Sequence, residues 1–143
     1  NGKTAYILTE LSSQVFVASY EPDAGFKVEQ TLNMLLDENT PSDAAAIRIS
    51  SDNKYLYASN RGEDSIALYE IDEKTGLLKH LSNTETGQHP RDFILTDSYL
   101  LCANRDSNNI LVFQTSKDDG SLKLINEITD ISMPVSLLEH HLI

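Results

Sequence analysis

The chain has 143 residues, 40% of them hydrophobic, and carries 22 acidic against 11 basic side chains for a formal charge of −11. An even negative charge repels polyanions, which argues against nucleic acid and anionic membrane surfaces as partners. No run approaches the roughly 20 apolar residues that cross a bilayer, and the single cysteine, Cys102, excludes an internal disulfide and fits a reducing, cytoplasmic compartment.

In chain order, short segments rich in β-branched and aromatic residues predict strands at 4–9, 14–20 and 26–33. An acidic linker at 36–43 follows. Strands are then predicted at 44–50, 54–60, 65–72 and 77–84, next at 91–95, 99–104, 109–115 and 121–129, and last at 134–138, twelve in all. None of these segments shows the 3, 4 and 7 spacing of a buried helix face. Glycines at 25, 76 and 120 each close a polar turn that needs a positive φ.

Residues 54–79 recur without a gap 44 positions later: Tyr55, Leu56, Asn60, Arg61, Ile66 and Gly76 return as Tyr99, Leu100, Asn104, Arg105, Ile110 and Gly120, and Pro90 returns as Pro134. A looser copy lies 51 positions upstream, at Lys3, Tyr6 and Gly25. A period of roughly 40 to 50 residues built from short strands is one four-stranded β-propeller blade. The fold class expected is therefore all-β, a partial propeller with blade units at about 1–43, 44–90 and 91–133 and the first strand of a closing blade at 134–138. About three blades do not close a ring that usually needs at least four. A C-terminal piece of a larger propeller, cut at its N-terminal side, is the expectation, with self-association through the open blade faces.

Antiparallel meanders bring the turns between strands 2 and 3 and the linkers between blades to one rim. Glu10, Asn60, Arg61, Asn104 and Arg105 follow second strands, and His89, Pro90, Arg91 and Asp92 precede an innermost strand. One glutamate among several arginines is a usable set, a general base beside groups that grip an anion and stabilise an oxyanion. Turn salt bridges from Arg61 to Asp64 and from Arg105 to Asp106 are the competing structural role for the arginines. Asn60 and Asn104 equally suit turn capping, and His89 suits a solvated loop position. Tyr55, Tyr57, Tyr69 and Tyr99 are expected to pack between blades with their hydroxyls on backbone partners. The acidic run Asp37, Glu38, Asp43 lacks the glycine and spacing of a calcium loop, so neither a metal nor another cofactor is assigned. The Leu138-Glu139-His140-His141 string resembles a tag junction and is left out of the chemistry.

The strings Ala44-Ala45-Ala46-Ile47-Arg48-Ile49, Asp52-Asn53-Lys54-Tyr55-Leu56-Tyr57-Ala58-Ser59-Asn60-Arg61, Asp64-Ser65-Ile66 and Pro90-Arg91-Asp92-Phe93 resemble the C-terminal part of the seven-bladed lactonase-type propellers. That family takes in bacterial 6-phosphogluconolactonase and is related to the carboxy-muconate lactonizing enzyme. The resemblance covers essentially the whole chain. It implies a site in which Glu10 and Arg61 are catalytic and Arg91, in a proline-arginine linker, contacts substrate; His89, Asn60 and Arg105 are added as candidate substrate contacts from their own place on the same rim. About half of such a site lies in this chain; a further linker arginine and a histidine would precede residue 1. Ala46 and Arg105 depart from the acidic residue and the glutamine usual at those positions, which bears on substrate preference. The activity implied is hydrolysis of a sugar-acid lactone such as 6-phosphogluconolactone, a small anionic substrate. Cycloisomerisation of a muconate-like diacid and a non-catalytic binding role are the alternatives on the same scaffold.

Overall fold

The computed structural model describes residues 3–140. They form eleven strands and no helix. The first sheet holds β1 (Thr4–Thr9), β2 (Gln14–Glu21) and β3 (Gly25–Asn33). The second holds β4 (Asp43–Ile49), β5 (Tyr55–Arg61), β6 (Ser65–Ile71) and β7 (Leu78–Glu85), and the third β8 (Pro90–Leu95), β9 (Tyr99–Asn104), β10 (Asn109–Thr115) and β11 (Leu122–Ile128). Each is an antiparallel meander in chain order, so the molecule is a partial β-propeller of successive blades.

The repeat is visible in the backbone. A bulge interrupts the ladder between the third and fourth strand positions of every blade, at Val17/Ala18, Leu68/Tyr69 and Val112/Phe113. Those pairs are 51 and 44 positions apart, the same offsets as the sequence copies. Gly25, Gly76 and Gly120 all turn with φ between +73° and +76°, the left-handed region glycine enters without a Cβ penalty.

Alternation along β5 builds both interfaces of the central blade, because successive side chains of a strand point to opposite faces. Leu56 and Ala58 pack toward the first sheet with Val15, Val17, Met34 and Tyr69. Tyr55 and Tyr57 pack toward the third with Phe93, Leu100, Cys102 and Phe113. Both faces of β5 and β6 are therefore dry, while the outer strands β3, β7 and β11 are mostly exposed. Tyrosine hydroxyls tie the blades at the glycine rim: Tyr6 Oη donates to Gly76 O at 2.8 Å and Tyr57 Oη to Gly120 O at 2.7 Å. Tyr55 Oη reaches Asp118 O and Tyr69 Oη reaches Asn33 O, whereas Tyr99 is exposed.

The strand expected at 134–138 does not form. This segment lies beside the third sheet, where Leu137 N donates to Asp92 Oδ2 at 3.0 Å and Ser136 Oγ contacts the same oxygen. A ladder needs a second strand of its own blade; the neighbouring blade supplies only side-chain contacts. The chain thus has eleven strands among the described residues rather than twelve.

Candidate functional site

All three turns after a second strand are built alike. Ser13, Asp64 and Asn108 hold positive φ values of 47°, 55° and 54° at equivalent places, a conformation that short polar side chains tolerate by bonding locally. The residue that ends each second strand is thereby aimed from the same corner, and these residues are Glu10, Arg61 and Arg105.

Glu10 and Arg61 meet across the first two blades. Arg61 Nη2 donates to Glu10 Oε1 at 2.5 Å and to Ala44 O at 2.9 Å, and Arg61 Nε reaches Asp43 O at 3.4 Å. The Arg61 side chain is only 10% exposed while that of Glu10 is 61% exposed, so a guanidinium pinned on the start of β4 presents a carboxylate to solvent. Glu10 is fixed from behind as well, its carbonyl accepting from Ala44 N at 2.9 Å. The hydrogen bond and charge of Arg61, helped by the charge of Arg91, hold its carboxyl below the ordinary 4.5.

Glu10 and Arg91 line one open groove of about 690 Å³ along the inner strands, floored by Ala44, Ala45 and Ala46. Small side chains at those positions leave the room. Arg48 and Asp92 also line it, Arg48 Nη2 donating to Asp92 Oδ1 at 3.0 Å, and Arg48 stacks 5.7 Å from the centroid of Phe93. This pair was absent from the sequence-derived site set. Its available signal was a charged residue inside each of two innermost strands, which face the axis. A larger groove, about 860 Å³, sits at the glycine rim among Lys54, Glu70, Asp72 and Lys74, away from Glu10.

His89 and Arg105 form a second cluster between the second and third blades. Arg105 Nε donates to Asp106 Oδ1 at 2.6 Å and Arg105 Nη2 lies 3.4 Å from His89 Nδ1. His89 Nδ1 also lies 3.5 Å from Asp106 Oδ2, so it faces both members of that ion pair, while Nε2 is buried without a partner. His89 has φ +60° and is held there by its N–H on Asp64 Oδ1 at 2.8 Å and its carbonyl accepting from Arg105 N at 3.0 Å. Burial, then the charge of Arg105, push its pKa below 6.5, so it is neutral at pH 7. Of the two turn salt bridges weighed from sequence, Arg105 to Asp106 forms. Arg61 to Asp64 does not form; Asp64 Oδ1 accepts instead from Gly62 N and His89 N.

Asn60 is 0% exposed and lies inside the second blade, its Nδ2 3.4 Å from Met34 O and 3.5 Å from Ser65 Oγ. It supports the corner from behind and is out of reach of a ligand in the groove. Cys102 is a structural thiol, donating to Asn104 Oδ1 at 3.4 Å with its pKa pushed by burial to about 12.

Comparison with known proteins adds the following. A family model described as "Lactonase, 7-bladed beta-propeller" matches residues 1–138. The 6-phosphogluconolactonase of Bacillus subtilis is 35% identical over 138 residues, covering 93% of this chain and 40% of its own. The periplasmic gluconolactonase PpgL of Pseudomonas aeruginosa superposes with a TM-score of 0.88 at 26% identity, over 94% of this chain and 39% of its own. A protein from Lactobacillus plantarum superposes with a TM-score of 0.87 at 29% identity, over 94% of this chain and 40% of its own. The chain thus spans about two fifths of the length of the relatives it matches.

Proposed function

The chain belongs to the seven-bladed β-propeller lactonase family, and we propose that the whole protein of which it forms a part hydrolyses a sugar-acid lactone such as 6-phosphogluconolactone. The observation that carries this reading is the cross-blade contact of Glu10 with Arg61 at the mouth of a groove that also holds Arg91. Glu10 takes a proton from water, the water oxygen attacks the lactone carbonyl, and the ring C–O bond breaks as the ring oxygen takes up a proton to give the open acid. Arg91 grips the anionic end of the substrate and Arg61 stabilises the oxyanion of the tetrahedral intermediate. His89 and Arg105 form the outer contact for the same anion, and Asn60 steadies the corner.

A carboxylate held below 4.5 by a guanidinium is a weak base. An anionic substrate that draws Arg61 and Arg91 to itself removes part of that restraint, so binding and base activation are coupled. Two guanidinium groups beside one carboxylate also suit a muconate-like diacid, the cycloisomerase alternative; a propeller that binds without catalysis is the remaining one. The single thiol, buried and inert, favours a reducing cytoplasmic setting, although the Pseudomonas relative is periplasmic by name.

Turnover by the full-length protein with sugar-acid lactones and with muconate-like diacids separates these readings. In the lactonase reading Glu10→Gln lowers kcat by roughly 10²–10⁴-fold with an unchanged circular dichroism spectrum, and the 143-residue chain alone shows no turnover. Full activity in Glu10→Gln removes the glutamate from the mechanism; diacid turnover without lactonase activity selects the isomerase.

A further inference from the structure

Besides Glu10 and Arg91, the groove holds Arg48, a guanidinium fixed on three sides. Its Nη1 donates to Ile47 O at 2.8 Å, its Nη2 donates to Asp92 Oδ1 at 3.0 Å, and its Cζ lies 5.7 Å from the Phe93 ring centroid. A guanidinium has more N–H donors than these two bonds use, and the side chain is still 43% exposed. Asp92 acts as the clamp. Its Oδ1 also accepts from Phe93 N at 2.9 Å, its Oδ2 accepts from Leu137 N at 3.0 Å and Ser136 Oγ at 3.4 Å, and it is only 15% exposed. A carboxylate so committed is neither a base nor a ligand for substrate; it draws the head of Arg48 to the level of residue 92, next in the chain to Arg91. The ladder slips between Pro90 and Asp92. Arg91 and Asp92 therefore both face the groove, where a regular strand would turn them to opposite sides.

Resting on the lactonase reading, we propose that Arg48 is a specificity-determining residue, which joins Arg91 in gripping a phosphate monoester at the end of the substrate away from the lactone carbonyl. A phosphate monoester offers three terminal oxygens and nearly two negative charges at neutral pH, more than one guanidinium satisfies. A carboxylate is saturated by a single two-point contact. Two guanidinium groups on neighbouring innermost strands, one of them immobilised by a carboxylate and a ring, fit the first ligand and exceed the need of the second. Charge agrees with this. In a chain of net charge −11, the charged groups around the groove are three arginines, Arg48, Arg61 and Arg91, against two carboxylates, Glu10 and Asp92. The competing role for Arg48 is a tie between innermost strands. Such a tie needs the Asp92 bond alone and treats phosphorylated and plain ligands alike.

The test compares ligands that differ only by the phosphate, in the full-length protein. Arg48→Gln is expected to raise KM for 6-phosphogluconolactone by roughly 10–100-fold, the range for losing a charge-assisted contact. Its kcat and KM for unphosphorylated gluconolactone are expected to shift by less than about threefold, and Arg48→Lys to recover part of the loss. Calorimetric titration with the open acids, 6-phosphogluconate against gluconate, reads the same preference without turnover. The unsubstituted protein is expected to bind the phosphorylated acid at least about tenfold more tightly, and Arg48→Gln to remove most of that margin with an unchanged circular dichroism spectrum. A protein without the margin, or a margin that survives Arg48→Gln, overturns the proposal. So does an equal loss for both ligands, the mark of a strand tie. A margin that depends on Arg48 in a protein that opens no lactone upholds the grip and strikes only the lactonase reading.

Discussion

The second and third blades repeat nearly residue for residue, yet their corner arginines do opposite things. Arg61 leaves its own blade, lies across the start of β4 and bonds Glu10 of the preceding blade with a side chain only 10% exposed. Arg105, 44 positions later, folds back on its sequence neighbour Asp106 and is 36% exposed. Backbone and residue type are the same, so the difference lies in the partner that the preceding blade offers: a carboxylate for Arg61, and for Arg105 another arginine's blade. A repeat position gains a cross-blade carboxylate partner only where the adjacent copy has diverged. Asn60 and Asn104 show the same rule inside the blades. Asn104 Oδ1 accepts from Cys102 Sγ and its Nδ2 bonds Asn109 Oδ1 at 3.0 Å, whereas Ala58 stands at the cysteine position and Asn60 Oδ1 has no partner.

The sharpest way to break the comparison is to truncate both arginines in the full-length protein. Arg61→Ala is expected to lower kcat/KM by roughly 10²–10³-fold, the usual cost of losing an oxyanion donor, and Arg105→Ala by less than about tenfold, as for a solvent-screened pair. Equal losses would mean that the two corners serve the substrate alike. Next in size are the turn glycines, tested by thermal unfolding of alanine variants. All three turns share φ near +75°, but an added Cβ at Gly120 would lie 2.7 Å from the Tyr55 ring, at Gly76 3.1 Å from Thr4, and at Gly25 near nothing. Gly120→Ala should cost about 2–4 kcal/mol from αL strain plus overpacking and Gly25→Ala about 1–2 kcal/mol from strain alone.

Asn104→Leu is expected to destabilise by about 1–3 kcal/mol because it removes a 3.0 Å bond to Asn109 Oδ1 and leaves the buried Cys102 thiol without its acceptor. Asn60→Leu should be close to neutral, since Met34 O keeps Asn83 Nδ2 at 2.8 Å and Ser65 Oγ keeps Glu63. Urea midpoints for the two variants decide it. The smallest effect concerns His89, which faces Arg105, Asp106, Arg61 and Asp64. With a folded pKa below 6.5 the native state binds fewer protons than the unfolded chain. Its stabilising contribution is therefore full above pH 6.5 and is lost as pH falls from there toward the folded value. The drop in Tm between pH 7.5 and 5.5 should shrink in His89→Gln. By NMR, Arg105→Gln should move the ring's titration up toward 6.5, because it removes a repelling charge.

Blade order, strand positions and the rim that carries Glu10 and Arg61 were legible because each rests on local signals: period-two alternation, glycine turns and a fixed repeat. What the sequence could not show is which side chain a corner residue meets. Arg61 had Asp64 three residues away and instead bonds Glu10, 51 residues away, from a guanidinium seated on the carbonyls of Asp43 and Ala44, while Asp64 Oδ1 accepts from two backbone amides. Arg48 with Asp92 was hidden for the same reason, a contact between innermost strands of two blades. The segment at 134–138 had every local mark of a strand, but strand formation is a property of two segments, and its counterpart is not beside it.

The hydroxyl contacts at the glycine rim have a polarity. Tyr6 of one blade fastens the outer turn of the next at Gly76, and Tyr57 fastens the one after at Gly120, like buttons sewn always on the left-hand panel. At the matching place the third blade carries Leu101, which has no hydroxyl to give. Only Tyr99, the counterpart of Tyr55, keeps a hydroxyl on that face, so a following blade would be fastened there by one button where the third blade is held by two.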